Sequence, residues 1–131
     1  MRIELAGLVP APLYGATGYL DPVERGTATA FHLRSRLRCD LVVCLSHLGY
    51  RYADEKVSDV VLARQSRHID IILGGHTHTF MDEAVMVENL VGEPVVINQV
   101  GFAGLRLGRL DVSFAGARDG RNCVACRNLR V

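Results

Sequence analysis

At 131 residues, 49% of them apolar, the chain has the material for one domain with a real core and is not a disordered segment. Its formal net charge is +1 and its arginines are scattered, which gives no stripe for a nucleic-acid polymer and leaves small ligands or proteins as the partners to expect. Aspartate, arginine or glycine interrupts every apolar run short of a bilayer's width, so no membrane span is expected.

The opening MRIELAGLVPAPL is mildly apolar, but Glu4 falls inside it and only Arg2 is basic ahead of it. A strand over Ile3 to Leu8 is expected there rather than a signal peptide, and the compartment is not readable. A loop rich in proline and glycine follows, and then a helix. Asp21 caps it, Pro22 suits its first position, and Glu24 stands where a capping box places a carboxylate. Val23, Thr27, Ala30, Phe31 and Leu37 fall near one face, with Arg34, Arg36 and Arg38 left for solvent.

Two segments then share a plan. Asp40 leads into LVVCL, Ser46 and His47; Asp70 leads into IIL, Gly74, Gly75 and His76. Each is an apolar run of strand length, the pattern of a parallel strand buried on both faces. Between them Asp54 can cap a helix that carries Val57, Val60 and Val61. The three elements make a βαβ unit. Parallel strands joined by a crossover helix end at one sheet edge, so His47, His76 and His78 are expected to converge there, where open α/β sheets bind ligands.

In the last third, AVMVENLVGEPVVINQV gives two short strands around a turn at Gly92 to Pro94, and Leu110, Val112 and Phe114 alternate with polar residues. An antiparallel continuation of the sheet is expected, with a bulge or bend near Gly108. AGARDGRN reads as a turn or loose link. The whole is an α/β fold, a βαβ unit with parallel strands followed by antiparallel ones, over residues 1–115. Residues 116–131 are an unassigned tail. Its Cys123 and Cys126 form a lone CxxC, and with Cys39 and Cys44 they read as ordinary thiols, a redox or metal role being the alternative.

A histidine after a strand is more often hydrogen-bonded than a ligand, and His32 and His68 keep that reading. His47 alone is evenly balanced, since Ser46 and His47 can end the strand by local hydrogen bonds. The HTH pair shifts the balance: two histidines one residue apart can address neighbouring points, and Gly74 and Gly75 allow a tight turn. Imidazole suits zinc, manganese, iron and nickel alike, and the lack of thiolates at this edge points away from a closed structural zinc site.

The words LSHLGY and GGHTHT, with the helix between them, resemble the last two metal motifs of the calcineurin-like metallophosphoesterases, in their 5'-nucleotidase and 2',3'-cyclic phosphodiesterase branch. RIELAGL, DPVERG and VVINQVGFAGLRLGRLDVSF extend the likeness over nearly the whole chain. It implies the carboxyl-terminal part of an α/β/β/α sandwich and a site of two divalent ions, zinc, manganese or other, acting on a phosphoester or nucleotide. His47 and His76 would bind one metal and His78 the other, while Ser46, Gly75 and Thr77 shape the loop. Members of this branch are often exported, which carries over only as an expectation.

The chain departs from that pattern. The words DxH, GDxxD and GNHE or GNHD, which supply the remaining ligands and the general acid, do not occur in it. Asp54, Glu55, Asp82 and Glu83 near the edge read as exposed or capping acids. No catalytic residue is assigned. Three readings stand: part of a metallophosphoesterase needing its amino-terminal half or a second copy, a non-catalytic metal-binding or interaction module, and a purely structural domain.

Overall fold

The computed structural model describes residues 9–54, 56–114 and 121–131. The expected strand over Ile3 to Leu8 lies outside them, as do Glu55 and most of the AGARDGRN link. A short turn of helix, α1 (Ala11–Tyr14), precedes α2 (Pro22–Ser35). The start of α2 is where the sequence puts it: the Asp21 carboxylate accepts from Val23 N at 2.8 Å and Glu24 N at 3.0 Å, satisfying two donors that the first helical turn leaves open. Its apolar face is narrower than expected. Ala30 is buried, but Phe31 and Leu37 are more than half exposed. Arg34 corrects the reading in the other direction, since it folds back from solvent to the Cys39 carbonyl and the Asp70 carboxylate. Asp70 also accepts from Val42 N at 2.6 Å, so one carboxylate fastens α2 to the entry of both following strands.

Strand β1 (Val43–Leu45), helix α3 (Asp59–Gln65) and strand β2 (Ile71–Leu73) form the βαβ unit, with β1 and β2 parallel. The cap of α3 is Ser58, whose hydroxyl accepts from Val61 N, and not Asp54, which closes a local turn onto Lys56 N. The cause lies in the loop after β1. Asp59 N and Val60 N donate to the Gly49 and Tyr50 carbonyls, so the helix begins only where that loop releases the chain. Strand β1, expected to be buried on both faces, has only β2 beside it among the described residues and is partly open: Leu45 is 81% exposed, whereas Ile71 and Ile72 of β2 are buried.

Strands β3 (Val85–Glu88) and β4 (Pro94–Asn98) turn about Gly92, which takes a left-handed φ of 77°. They are antiparallel to each other, but β4 lies parallel to β2, giving the order β1-β2-β4-β3. The continuation is therefore not simply antiparallel. Because β3 runs back along the outer edge, β4 re-enters beside β2 as a third parallel strand. Leu62 and Ala63 of α3 pack with Ile72, Val95 and Ile97 of the sheet to form the core.

A second, two-stranded antiparallel sheet pairs β5 (Arg106–Phe114) with β6 (Arg121–Arg130), the latter from the stretch that the sequence leaves unassigned. Its irregularity falls between Asp111 and Val112, not at Gly108. Gly108 is needed for close approach instead. A Cβ there would press within 3 Å of the Val100 and Asn98 side chains, so the glycine lets the hairpin lie against the exit of β4. Among the described residues no helix is long and apolar enough to cross a membrane. The chain is thus an α/β fold with a mostly parallel sheet and an antiparallel one.

Candidate metal centre

Three parallel strands end at one edge of the larger sheet. Directly beyond β1 come Ser46 and His47, beyond β2 the GGHTH segment, and beyond β4 Gln99. His47 and His76 meet there edge to face, with 5.2 Å between ring centroids and 71° between planes. His78 does not join them in the same way. It is exposed and stacks on Phe102 at 4.9 Å and 24°, and Phe102 in turn meets Phe80 edge to face at 5.5 Å.

The two glycines do not turn the chain. His76 and His78 themselves take the left-handed conformation, with φ of 76° and 52°, an uncommon state for a side-chain-bearing residue and one that surrounding structure must hold in place. Gly74 and Gly75 serve close approach. A Cβ at Gly74 would collide with the Asp59 carboxylate and the Gln99 amide, and one at Gly75 would stand 3.2 Å from His47 Nδ1.

Beneath the histidines lies a buried polar cluster that the motif reading passes over. Asp59, at the first turn of α3, has no exposed surface, and Gln99 is 2% exposed. Ser46 Oγ donates to Asp59 Oδ1, and Gln99 Nε2 donates to Asp59 Oδ2 at 2.8 Å and to the Gly75 carbonyl at 3.0 Å. The Thr77 hydroxyl donates to Gln99 Oε1 at 3.2 Å and accepts from Tyr50 N at 3.0 Å. Burial pushes the Asp59 carboxyl above its ordinary range, against the opposite pull of the Ser46 and Gln99 hydrogen bonds and of His47. The same burial, with Asp59 nearby, raises the Cys44 thiol, which makes it a poor nucleophile.

Of the acids expected near this edge, Asp54 and Asp82 take other partners. Asp54 accepts from Lys56 N, Asp82 pairs with Arg106 at 2.8 Å, and Glu83 is exposed. Two signals pointed to the missed pair. Asp59 stands between Ser58 and the apolar VVLA, and Gln99 ends the apolar run VVIN as His47 and His76 follow theirs.

Rings that share one ion at the usual Zn–N distance of ~2.1 Å have centroids on the order of 5 Å apart, so the separation of His47 and His76 suits two ligands of one cation. Among the described residues, no group of three or more histidines, cysteines, aspartates or glutamates is placed to hold a metal. This edge brings together, among the described residues, the His47 and His76 imidazoles above the buried Asp59 and Gln99.

No protein-family profile matches the chain. It is 33% identical over 94 residues to the trifunctional nucleotide phosphoesterase protein YfkN of Bacillus subtilis (strain 168), a stretch that is 72% of this chain and 6% of that protein. In fold it is similar to the 5'-nucleotidase precursor from Thermus thermophilus, with a TM-score of 0.74 and 27% identity over 86% of this chain and 23% of that one. The Haemophilus influenzae NAD nucleotidase NadN shares the fold at a TM-score of 0.63 and 19% identity, again over 86% of this chain and 22% of that one. The chain therefore spans less than a quarter of the length of each of these proteins.

Proposed function

We infer the function from kinship: this chain is related in sequence and fold to the 5'-nucleotidase-type metallophosphoesterases, over part of their length. We propose that it serves hydrolysis of a nucleotide or similar phosphoester, contributing part of a two-metal site that a further polypeptide segment completes. The observation that carries this reading is the His47–His76 pair, 5.2 Å apart past two adjacent parallel strands.

On this reading His47 and His76 hold one divalent ion and His78 contributes to a second. When bound, such ions neutralise the phosphoryl oxygens and lower the pKa of the attacking water. The chain's own part is to present the imidazoles at fixed positions. A general acid and the remaining ligands come from a segment bearing DxH, GDxxD and GNHE or GNHD words, none of which this sequence contains.

A second reading, a cation-binding module without catalysis, draws on the lack of a third ligand group among the described residues. One assay separates the two. The chain is charged with manganese or zinc and given an aryl phosphate and a nucleoside monophosphate, alone and mixed with a polypeptide carrying the three missing words. Hydrolysis that needs both polypeptides and is lost in His76→Ala supports the proposal. Cation binding without hydrolysis in either condition supports the module.

A further inference from the structure

We propose that Asp59 and Gln99 are positioning residues for the His47–His76 pair, tying the neighbours of both imidazoles to one buried carboxylate; this rests on the reading of that pair as a cation site.

Each histidine is gripped on both sides. Ser46 Oγ, just before His47, donates to Asp59 and accepts from Leu48 N, just after it, at 3.2 Å. Gly75, just before His76, gives its carbonyl to Gln99 Nε2, and Thr77, just after it, gives its hydroxyl to Gln99 Oε1. The 2.8 Å bond from Gln99 to Asp59 joins the two grips. The amide orientation is forced, because the Asp59 carboxylate and the Gly75 carbonyl can only accept and must both face the nitrogen. Gly74 makes the join possible, since any side chain there would occupy the space of the carboxylate and the amide.

Packing alone does not call for this arrangement. A carboxylate with no exposed surface, held by a hydroxyl and an amide, is an expensive way to fill the space between a helix and a sheet, which an apolar side chain fills better. What a buried acceptor adds is direction. It fixes two strand exits to each other, and it holds His76 in a backbone conformation that its Cβ disfavours. Groups behind metal-binding histidines commonly set ligand geometry in this way.

The test uses the whole chain and copper(II) alone as the probe, since imidazole binds that ion well and its spin spectrum reports the number of nitrogen ligands. The wild type is expected to bind it through two nitrogens. Gln99→Leu, still cooperatively folded in urea, is expected to lose about tenfold to a hundredfold in affinity and fall to one nitrogen. Asp59→Asn, which keeps a polar partner for Ser46 and Gln99, is expected to retain most of the affinity. Ser46→Ala, a smaller change, decides the matter in the same direction if Gln99→Leu does not fold.

A second readout needs no metal. The nuclear Overhauser contact between the His47 and His76 rings is expected in the wild type and in Asp59→Asn, and is expected to vanish in Gln99→Leu or Ser46→Ala. If that contact and the copper affinity persist in both of these variants, the positioning role is overturned. If instead His47→Ala and His76→Ala bind copper as the wild type does, the cation-site reading fails, and the ring contact alone still decides whether Asp59 and Gln99 position the pair.

Discussion

Gly74 and Asp59 are in mutual contact so close that the glycine has no room for a methyl group: a Cβ would fall on the carboxylate that α3 presents to the end of β2. Gly74→Ala is therefore expected to destabilise the chain by about 1–3 kcal/mol through overpacking. Gly18, with nothing within 4 Å and no unusual φ, is the control. Gly18→Ala is expected to be neutral or to stabilise by under ~1 kcal/mol, through the unfolded state. Urea unfolding of both variants measures the contrast, and equal midpoints would remove the steric account of Gly74.

The Asp59 carboxyl titrates above its ordinary range because it is buried. In the interval between the unfolded value, about pH 4, and the higher folded one, the native state binds more protons than the unfolded state. Stability is thus expected to fall as pH rises through that interval and to level off above it. Asp59→Asn carries no charge at any pH, and its unfolding midpoint is expected to lack this fall. A wild-type midpoint that climbs over the same interval, with no difference from the variant, would contradict the sign of the shift.

Asn98 and Asn128 exchange hydrogen bonds of 3.0 and 2.8 Å between the two sheets, and Asn128 also donates to the Met81 carbonyl at 2.8 Å. Asn128→Ala leaves the buried Asn98 amide without this partner, while the Met81 carbonyl keeps the Arg106 guanidinium at 2.7 Å, and is expected to lower stability by about 1–3 kcal/mol. Faster hydrogen exchange in β5 and β6 than in β4 would locate the loss at the junction. Uniform change across both sheets would mean that the hairpin is held by other contacts.

His78 stacks on Phe102 rather than standing with His47 and His76. His78→Ala is accordingly expected to leave the first cation bound within about threefold of wild-type affinity, and His76→Ala to weaken it about tenfold or more. Zinc titration calorimetry measures both. Equal losses would mean that the three imidazoles act together.

Much of this arrangement could be read from residue order, because strong local signals carried it. Asp21, Pro22 and Glu24 marked the start of α2, and the matched runs ahead of His47 and His76 marked the parallel strands. The misreadings share a cause, which is long-range pairing. Whether β4 continues as an antiparallel neighbour or slips in beside β2 depends on partners distant in sequence, and Gln99 reaches the site only through the second choice. Asp59 was hidden for a related reason. Its role follows from α3 starting at Ser58 rather than Asp54, which the loop from Gly49 to Tyr50 determines. Glycine-rich GGHTH was legible as a special turn but not in its mechanics, since the left-handed residues are the histidines.

Zinc bound per chain at equilibrium, compared among the wild type, His47→Ala and His76→Ala with circular dichroism confirming that all three are folded, decides whether His47 and His76 form a cation site. Zinc is expected to bind at one site in the wild type, with a loss of about tenfold or more in affinity in each variant. Equal zinc binding by all three chains would contradict this expectation, and would return His47 and His76 to the role of strand-ending hydrogen-bond residues.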